Sequence, residues 1–193
     1  MPLIVSTIFV PVLIALGPVV PSPSPPLEAR SARALPGMVD RQPGAQDDPA
    51  VVRRELTAVN KAWSAARIAY DSAAYERMLT SDFYVLLGGQ RLTRAEFIRR
   101  VSQRLNGVRL VRFDNPLLTL TKGPTKDEWV AVVLEKLEYE RAKADGTGSE
   151  KAYALWITRD GYRRVGTRWQ LTYSEAIGSE TWSGGTTPPF PDW

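Results

Sequence analysis

Apolar residues recur at alternating four- and three-residue spacing through Val52, Leu56, Val59, Trp63, Ala66 and Tyr70. That spacing predicts one helix with a single buried stripe. Asp48 before Pro49 marks its start, because the aspartate caps free amides and proline leaves no amide of its own to satisfy. Asp71 restarts the chain, and Tyr75, Met78 and Leu79 mark a second, shorter helix ending near Ser81. The run from Asp82 to Leu87 is aromatic and aliphatic enough for a strand, stopped by Gly88-Gly89. Thr93 with Glu96 forms a capping box for a third helix, whose apolar face is Phe97, Ile98, Val101 and Leu105.

After Gly107 the pattern turns from helical to extended. Residues 108–120, 128–141, 151–165 and 168–178 each read as strands, separated by turn-forming residues before Asp127, at Asp145-Gly146-Thr147-Gly148 and at Gly166-Thr167. Asp160-Gly161 predicts a bulge or a tighter turn inside the third of them. Helices followed by an antiparallel meander make an α+β fold with the helices on one face of the sheet. In the last strand Trp169, Leu171, Tyr173, Glu175 and Ile177 share a side, which strict alternation turns toward the helices. In the strand over 128–141 both sides begin apolar, with Val130, Val132 and Leu134 opposing Trp129, Ala131 and Val133. A sheet with one wet face would alternate cleanly, so the outer face is expected to be covered by a second copy of the chain.

The N-terminal part is different in kind. Residues 2–20 carry no charged side chain, and the stretch that follows is rich in Pro, Ser and Ala. We expect a signal peptide or apolar anchor over 1–20 and a linker over 21–47 that cannot bury enough apolar surface to offset its ordering entropy. The folded domain is expected over 48–178, and a flexible tail over 179–193 with Trp182, Phe190 and Trp193. The expected location is periplasmic or secreted, with a membrane anchor as the alternative if the leader is retained.

The chain of 193 residues has no cysteine and no histidine. Disulfides, thiolate metal sites, cysteine nucleophiles and histidine-based triads are thereby excluded. The net charge of +4 is too mild and too spread for a nucleic-acid partner. No cofactor loop or metal-ligand constellation is found, so no cofactor and no metal are expected.

The order of elements and several short motifs resemble the NTF2-like superfamily, in particular its DUF4440 and SnoaL-like branches. The residues that carry the likeness are Leu56 and Trp63-Ser64-Ala65-Ala66, then Asp71 with Ala73-Ala74, Leu79 to Phe83, Gly88-Gly89, Thr93 to Phe97, and Gly166 to Leu171. The resemblance implies a curved sheet wrapped around helices as a cone with an internal pocket, commonly a homodimer. It also allows a test of the steroid isomerase branch. Alignment on Asp71 and Asp82 puts that branch's oxyanion-binding tyrosine at Trp63 and its proton-shuttling aspartate at Leu87, which cannot carry a proton. The branches that use His with Asp lack their histidine here, and no carboxylate–arginine–carboxylate trio for epoxide opening is evident.

Candidate chemistry then rests on few residues. Glu175 with Tyr173 could form a catalytic pair, since an inward carboxylate loses its water and its pKa rises toward that of a general base; the alternative is a rim carboxylate paired with an arginine. Glu135 and Glu138 offer the same choice between base and solvated strand end, with Glu135 sharing a side with Trp129, Leu137 and Tyr139. Asp82 reads as a cap or turn residue. Trp63, Tyr84, Trp156, Trp169 and Tyr173 are the expected ligand-binding wall. The arginines at 91, 94, 99, 100, 104, 109 and 112 read as a solvated face. The expected function is binding of a small apolar molecule in the cone without catalysis. The alternatives are a SnoaL-like lyase, isomerase or hydrolase using an inward carboxylate, and a dimeric interaction module.

Overall fold

A computed structural model describes residues 48–104, 107–143 and 145–182. The expected leader, the linker, Leu105 and the aromatics Phe190 and Trp193 lie outside the described residues.

Three helices precede most of the sheet: α1 (Pro49–Ala69), α2 (Ser72–Met78) and, after strands β1 (Leu79–Leu87) and β2 (Gln90–Thr93), α3 (Arg94–Ser102). The capping chemistry is as the residues dictate. Asp48 accepts from Ala50 N at 2.8 Å and Asp71 from Ala74 N at 2.9 Å. Thr93 and Glu96 close a reciprocal capping box. The helix α2 ends at Met78 rather than near Ser81, because Leu79 already pairs with Leu171 in the sheet. The short β2 was not expected; it completes a hairpin about Gly88-Gly89, whose φ angles of +55° and +79° suit glycine.

The remaining strands are β3 (Val108–Asp114), β4 (Leu117–Lys122), β5 (Glu128–Ala142), β6 (Ser149–Val165) and β7 (Arg168–Trp182). The expected strand over 108–120 is two strands. Pro116 has no amide to donate, and Asn115 turns its groups to α1 instead, accepting from Asn60 Nδ2 at 2.9 Å and from Ser64 Oγ at 2.6 Å. The strand β7 runs past 178 to Trp182, because β6 is long enough to pair with it as far as Tyr153. The order is β2-β1-β7-β6-β5-β3, with β4 also on β5. The strands after Gly107 pair antiparallel as expected, and β1 joins β7 in parallel, so the sheet as a whole is mixed. Alternation reveals faces but carries no information about strand direction.

Val52, Leu56, Trp63 and Ala66 of α1 form the expected stripe and are buried against the concave side of the sheet. From β5 that side takes Trp129, Ala131, Val133, Glu135, Leu137 and Tyr139. Opposite them on β6 stand Tyr162, Asp160, Thr158, Trp156, Ala154 and Ala152. Trp63, Tyr75 and Phe97 pack mutually at 4.9–5.7 Å between ring centroids, joining all three helices; such pairs contribute roughly 0.5–1.5 kcal/mol each beyond area burial.

Candidate functional site

An irregularity in β7 decides which side chains enter the concave face. The pairing runs Tyr162↔Leu171 and then Gly161↔Tyr173, so Thr172 is an extra residue. Trp169 and Leu171 point inward before it, and Ser174 points inward after it. Gly161 permits this bulge, since a Cβ there would stand 2.6 Å from Thr172 Oγ1 and against the Tyr173 ring. Tyr173 and Glu175 therefore lie on the outer side, which corrects their expected inward placement. Ile177 is 44% exposed. Glu175 takes Arg159 at 2.9 Å, with side chains 34% and 49% exposed. Tyr84 is on the outer side too, stacked on Tyr173 at 5.8 Å and covered by Arg91 at 4.1 Å.

The other expected wall residues divide. Trp63 is in the buried aromatic cluster. Trp169 is buried at the far end, where its Nε1–H donates to Glu55 at 2.8 Å, and Arg164 both pairs with Glu55 at 2.8 Å and covers the indole. Trp156 does face inward, opposite Glu135, and is half-buried. Leu87 packs against the core. Glu138 faces outward and pairs with Lys151 at 2.7 Å. Asp82 is exposed, 3.6 Å from Arg163.

The structure assembles a different polar group on the concave face. Asp160 is buried and accepts from Ser174 Oγ at 2.7 Å. Burial pushes its carboxyl up to about 6, against the pull of Ser174 and the neighbouring hydroxyls toward the ionised form. Glu135 stands four positions along β5 from the residue opposite Asp160. It faces inward opposite Trp156 and keeps some accessible surface. Burial, with the charge of Asp160, pushes its carboxyl up to about 8, and Arg67 only partly offsets this. Tyr162, raised by burial and by Asp160, donates to Asn60 Oδ1 at 2.8 Å. Leu87, Phe97, Leu110, Tyr139 and Trp156 are among the partly buried apolar residues packed against the core.

Two inward carboxyls, Asp160 and Glu135, thus lie on one largely apolar face of β5 and β6. Glu135 was legible as an inward candidate by its parity with Trp129. Asp160 was read only as part of a bulge or turn, although it shares parity with Tyr162. Asn60 carried a signal that went unused: it lies four residues after Leu56 and three before Trp63, on the apolar stripe itself. Among the described residues no group of three or more acidic side chains is arranged to hold a metal ion, and no helix is long and apolar enough to cross a membrane.

No protein-family model matches the sequence, and no curated protein matches it. Solved structures do match. A conserved protein from Planctomyces limnophilus superposes with a TM-score of 0.51 at 15% identity, over 65% of this chain and 94% of that one. A "Putative Scytalone Dehydratase" from Novosphingobium aromaticivorans gives 0.50 at 11% identity, over 72% and 91%. An NTF2-like protein from Cytophaga hutchinsonii gives 0.46 at 15% identity, over 64% and 95%. Identities this low speak to fold alone. With its three helices packed on one side of a mixed sheet, the described domain has an α+β NTF2-like fold, the fold it shares with the Planctomyces limnophilus and Novosphingobium aromaticivorans structures.

Proposed function

We propose that the domain performs general acid–base chemistry on a small, largely apolar molecule held against the concave face, as a lyase, isomerase or hydrolase. Asp160 is the base and Glu135 the acid. The observation that carries this reading is the pair itself. Two carboxyl groups on one enclosed face have pKa values of about 6 and about 8, so near pH 7 the first is mainly ionised and the second mainly protonated. Groups separated in this way can remove a proton at one atom and supply one at another in the same turnover. A fold shared with a protein whose name includes dehydratase is compatible with such chemistry and adds nothing about the substrate.

The test is a panel of small apolar compounds bearing a hydroxyl, ketone or epoxide, followed by mass spectrometry. Turnover should peak between about pH 6 and 8 and vanish in Asp160→Asn and Glu135→Gln while both variants stay folded. An Asp160→Asn protein as active as the parent, or no turnover across the panel, removes the catalytic claim. Binding to the same panel without turnover would favour the second reading, a carrier of apolar molecules, which the inward Trp156 supports.

Two further features belong to the proposal. The uncharged run over 2–20 is read as an export leader. Val130, Val132 and Leu134 lie only partly buried on the outer face, where a second copy would cover them. Analytical ultracentrifugation of Val132→Arg should then show a monomer where the parent is a dimer.

A further inference from the structure

Thr158 stands between the two inward carboxyls. The β5–β6 ladder is regular from Glu128↔Arg163 to Ala142↔Ser149, so places along it follow from its pairing. On the inward side of β6, Trp156, Thr158 and Asp160 follow one another, and Glu135 of β5 faces Trp156. Thr158 is therefore two residues from Asp160 on its own strand and one diagonal step from Glu135. Diagonal neighbours on a sheet face are within reach of a long side chain. Directly across the ladders Thr158 meets Val133 on β5 and Ala176 on β7, neither of which carries a polar side chain. It is 4% exposed, and its Oγ1 is buried with no hydrogen-bond partner among the described residues. A buried hydroxyl left unpaired is costly, and each one in a native structure calls for an explanation. Ser174, the other hydroxyl beside Asp160, is committed to that carboxyl at 2.7 Å. Thr158 also draws Asp160 toward its ionised form, so its hydroxyl is near the carboxyl without being bonded to it.

We propose that Thr158 is a proton relay between Asp160 and Glu135, which resets the site between turnovers. The inference rests on the acid–base reading for its use. In that reading each turnover leaves Asp160 protonated and Glu135 ionised, and one proton must return before the next. A hydroxyl can accept one hydrogen bond while donating another. Asp160 passes its proton to Thr158 Oγ1 as the Thr158 O–H bond breaks, and the proton released there bonds a carboxylate oxygen of Glu135. One proton crosses, no electron is transferred, and Thr158 ends as it began. The transfer runs downhill, because Glu135 holds its proton up to about pH 8 and Asp160 only to about 6. The other groups that act on the two carboxyls from the packed elements are Arg67 of α1, Tyr75 of α2, Tyr162 of β6 and Ser174 of β7.

The test is a carboxyl-carbon NMR titration of Asp160 and Glu135 in the full chain, in Thr158→Val and in Thr158→Ser. A hydroxyl that reaches both carboxylates favours both ionised forms, so its removal raises both midpoints. Thr158→Val takes away only an unpaired oxygen and should raise each midpoint by about half a unit to one unit. Thr158→Ser should restore both. A rise at Asp160 alone, no rise at either, or a rise that serine does not reverse would each overturn the relay. The titration needs no substrate. On any substrate that the compound panel yields, Thr158→Val should also lower kcat ten-fold or more at unchanged KM, with Thr158→Ser close to the parent; an unchanged kcat would overturn the relay. An active Asp160→Asn protein removes the acid–base reading whatever the midpoints do, so the two proposals fail separately.

Discussion

The phenol proton of Tyr162 goes to Asn60 Oδ1, 2.8 Å away, although the same hydroxyl also helps hold the neighbouring Asp160 carboxyl down. The amide cannot turn to refuse it, because its Nδ2 donates to the Asn115 carbonyl at 2.9 Å. Asn60→Leu would release the phenol toward Asp160 and lower that carboxyl from about 6. A carboxyl-carbon NMR titration of Asp160 should show the drop, and an unchanged midpoint would mean that the two side chains do not compete. The same change leaves the buried carbonyl of Asn115 short of a partner, so a stability loss of about 1–3 kcal/mol is expected from chemical denaturation.

Both inward carboxyls make stability depend on pH in a definite direction. Their folded pKa values, about 6 for Asp160 and about 8 for Glu135, lie above the ordinary 3.8 and 4.5. The folded state therefore holds more protons than the unfolded state across that window, and stability falls as pH rises through it. The loss starts near pH 4 and levels off above about 8. For Glu135 alone it is on the order of a few kcal/mol. Melting temperatures recorded from pH 4 to 9 should fall, and Glu135→Gln should flatten the curve most in its upper half.

Glu175 provides the contrast. Its bond to Arg159 is an exposed ion pair on the outer side, and such pairs contribute roughly 0–1 kcal/mol. Glu175→Gln should leave stability within that range and leave turnover intact on any substrate found. A complete loss of activity would return Glu175 to the catalytic role that strict alternation suggested.

Gly161 holds the bulge that reverses β7. An added methyl would meet Thr172 Oγ1 at 2.6 Å as well as the Tyr173 ring. Gly161→Ala should cost about 2 kcal/mol or more in denaturant unfolding. It should also disturb Ser174 and thereby Asp160, which a shifted pH–stability profile would register.

The helices and most strand positions were legible along the chain for a local reason. Capping residues such as Asp48, Asp71 and Thr93 act within one turn, and a stripe such as Val52 to Ala66 needs only the period of the helix to be recognised. The sequence by itself determined those elements, the absence of thiol and imidazole chemistry, and the inward parity of Glu135. What only the tertiary structure decided depends on partners far away in the chain. Thr172 is an extra residue only by reference to β6, and that one residue carries Tyr173 and Glu175 from the concave side to the outer side. Asp160 takes the Ser174 hydroxyl only once β6 and β7 stand in their bulged register. Asn60, Asn115 and Tyr162 come from separate parts of the chain, and no spacing in the sequence brings them together. Alternation is a property of one strand, whereas register, burial and the meeting of charges belong to the packed sheet and helices.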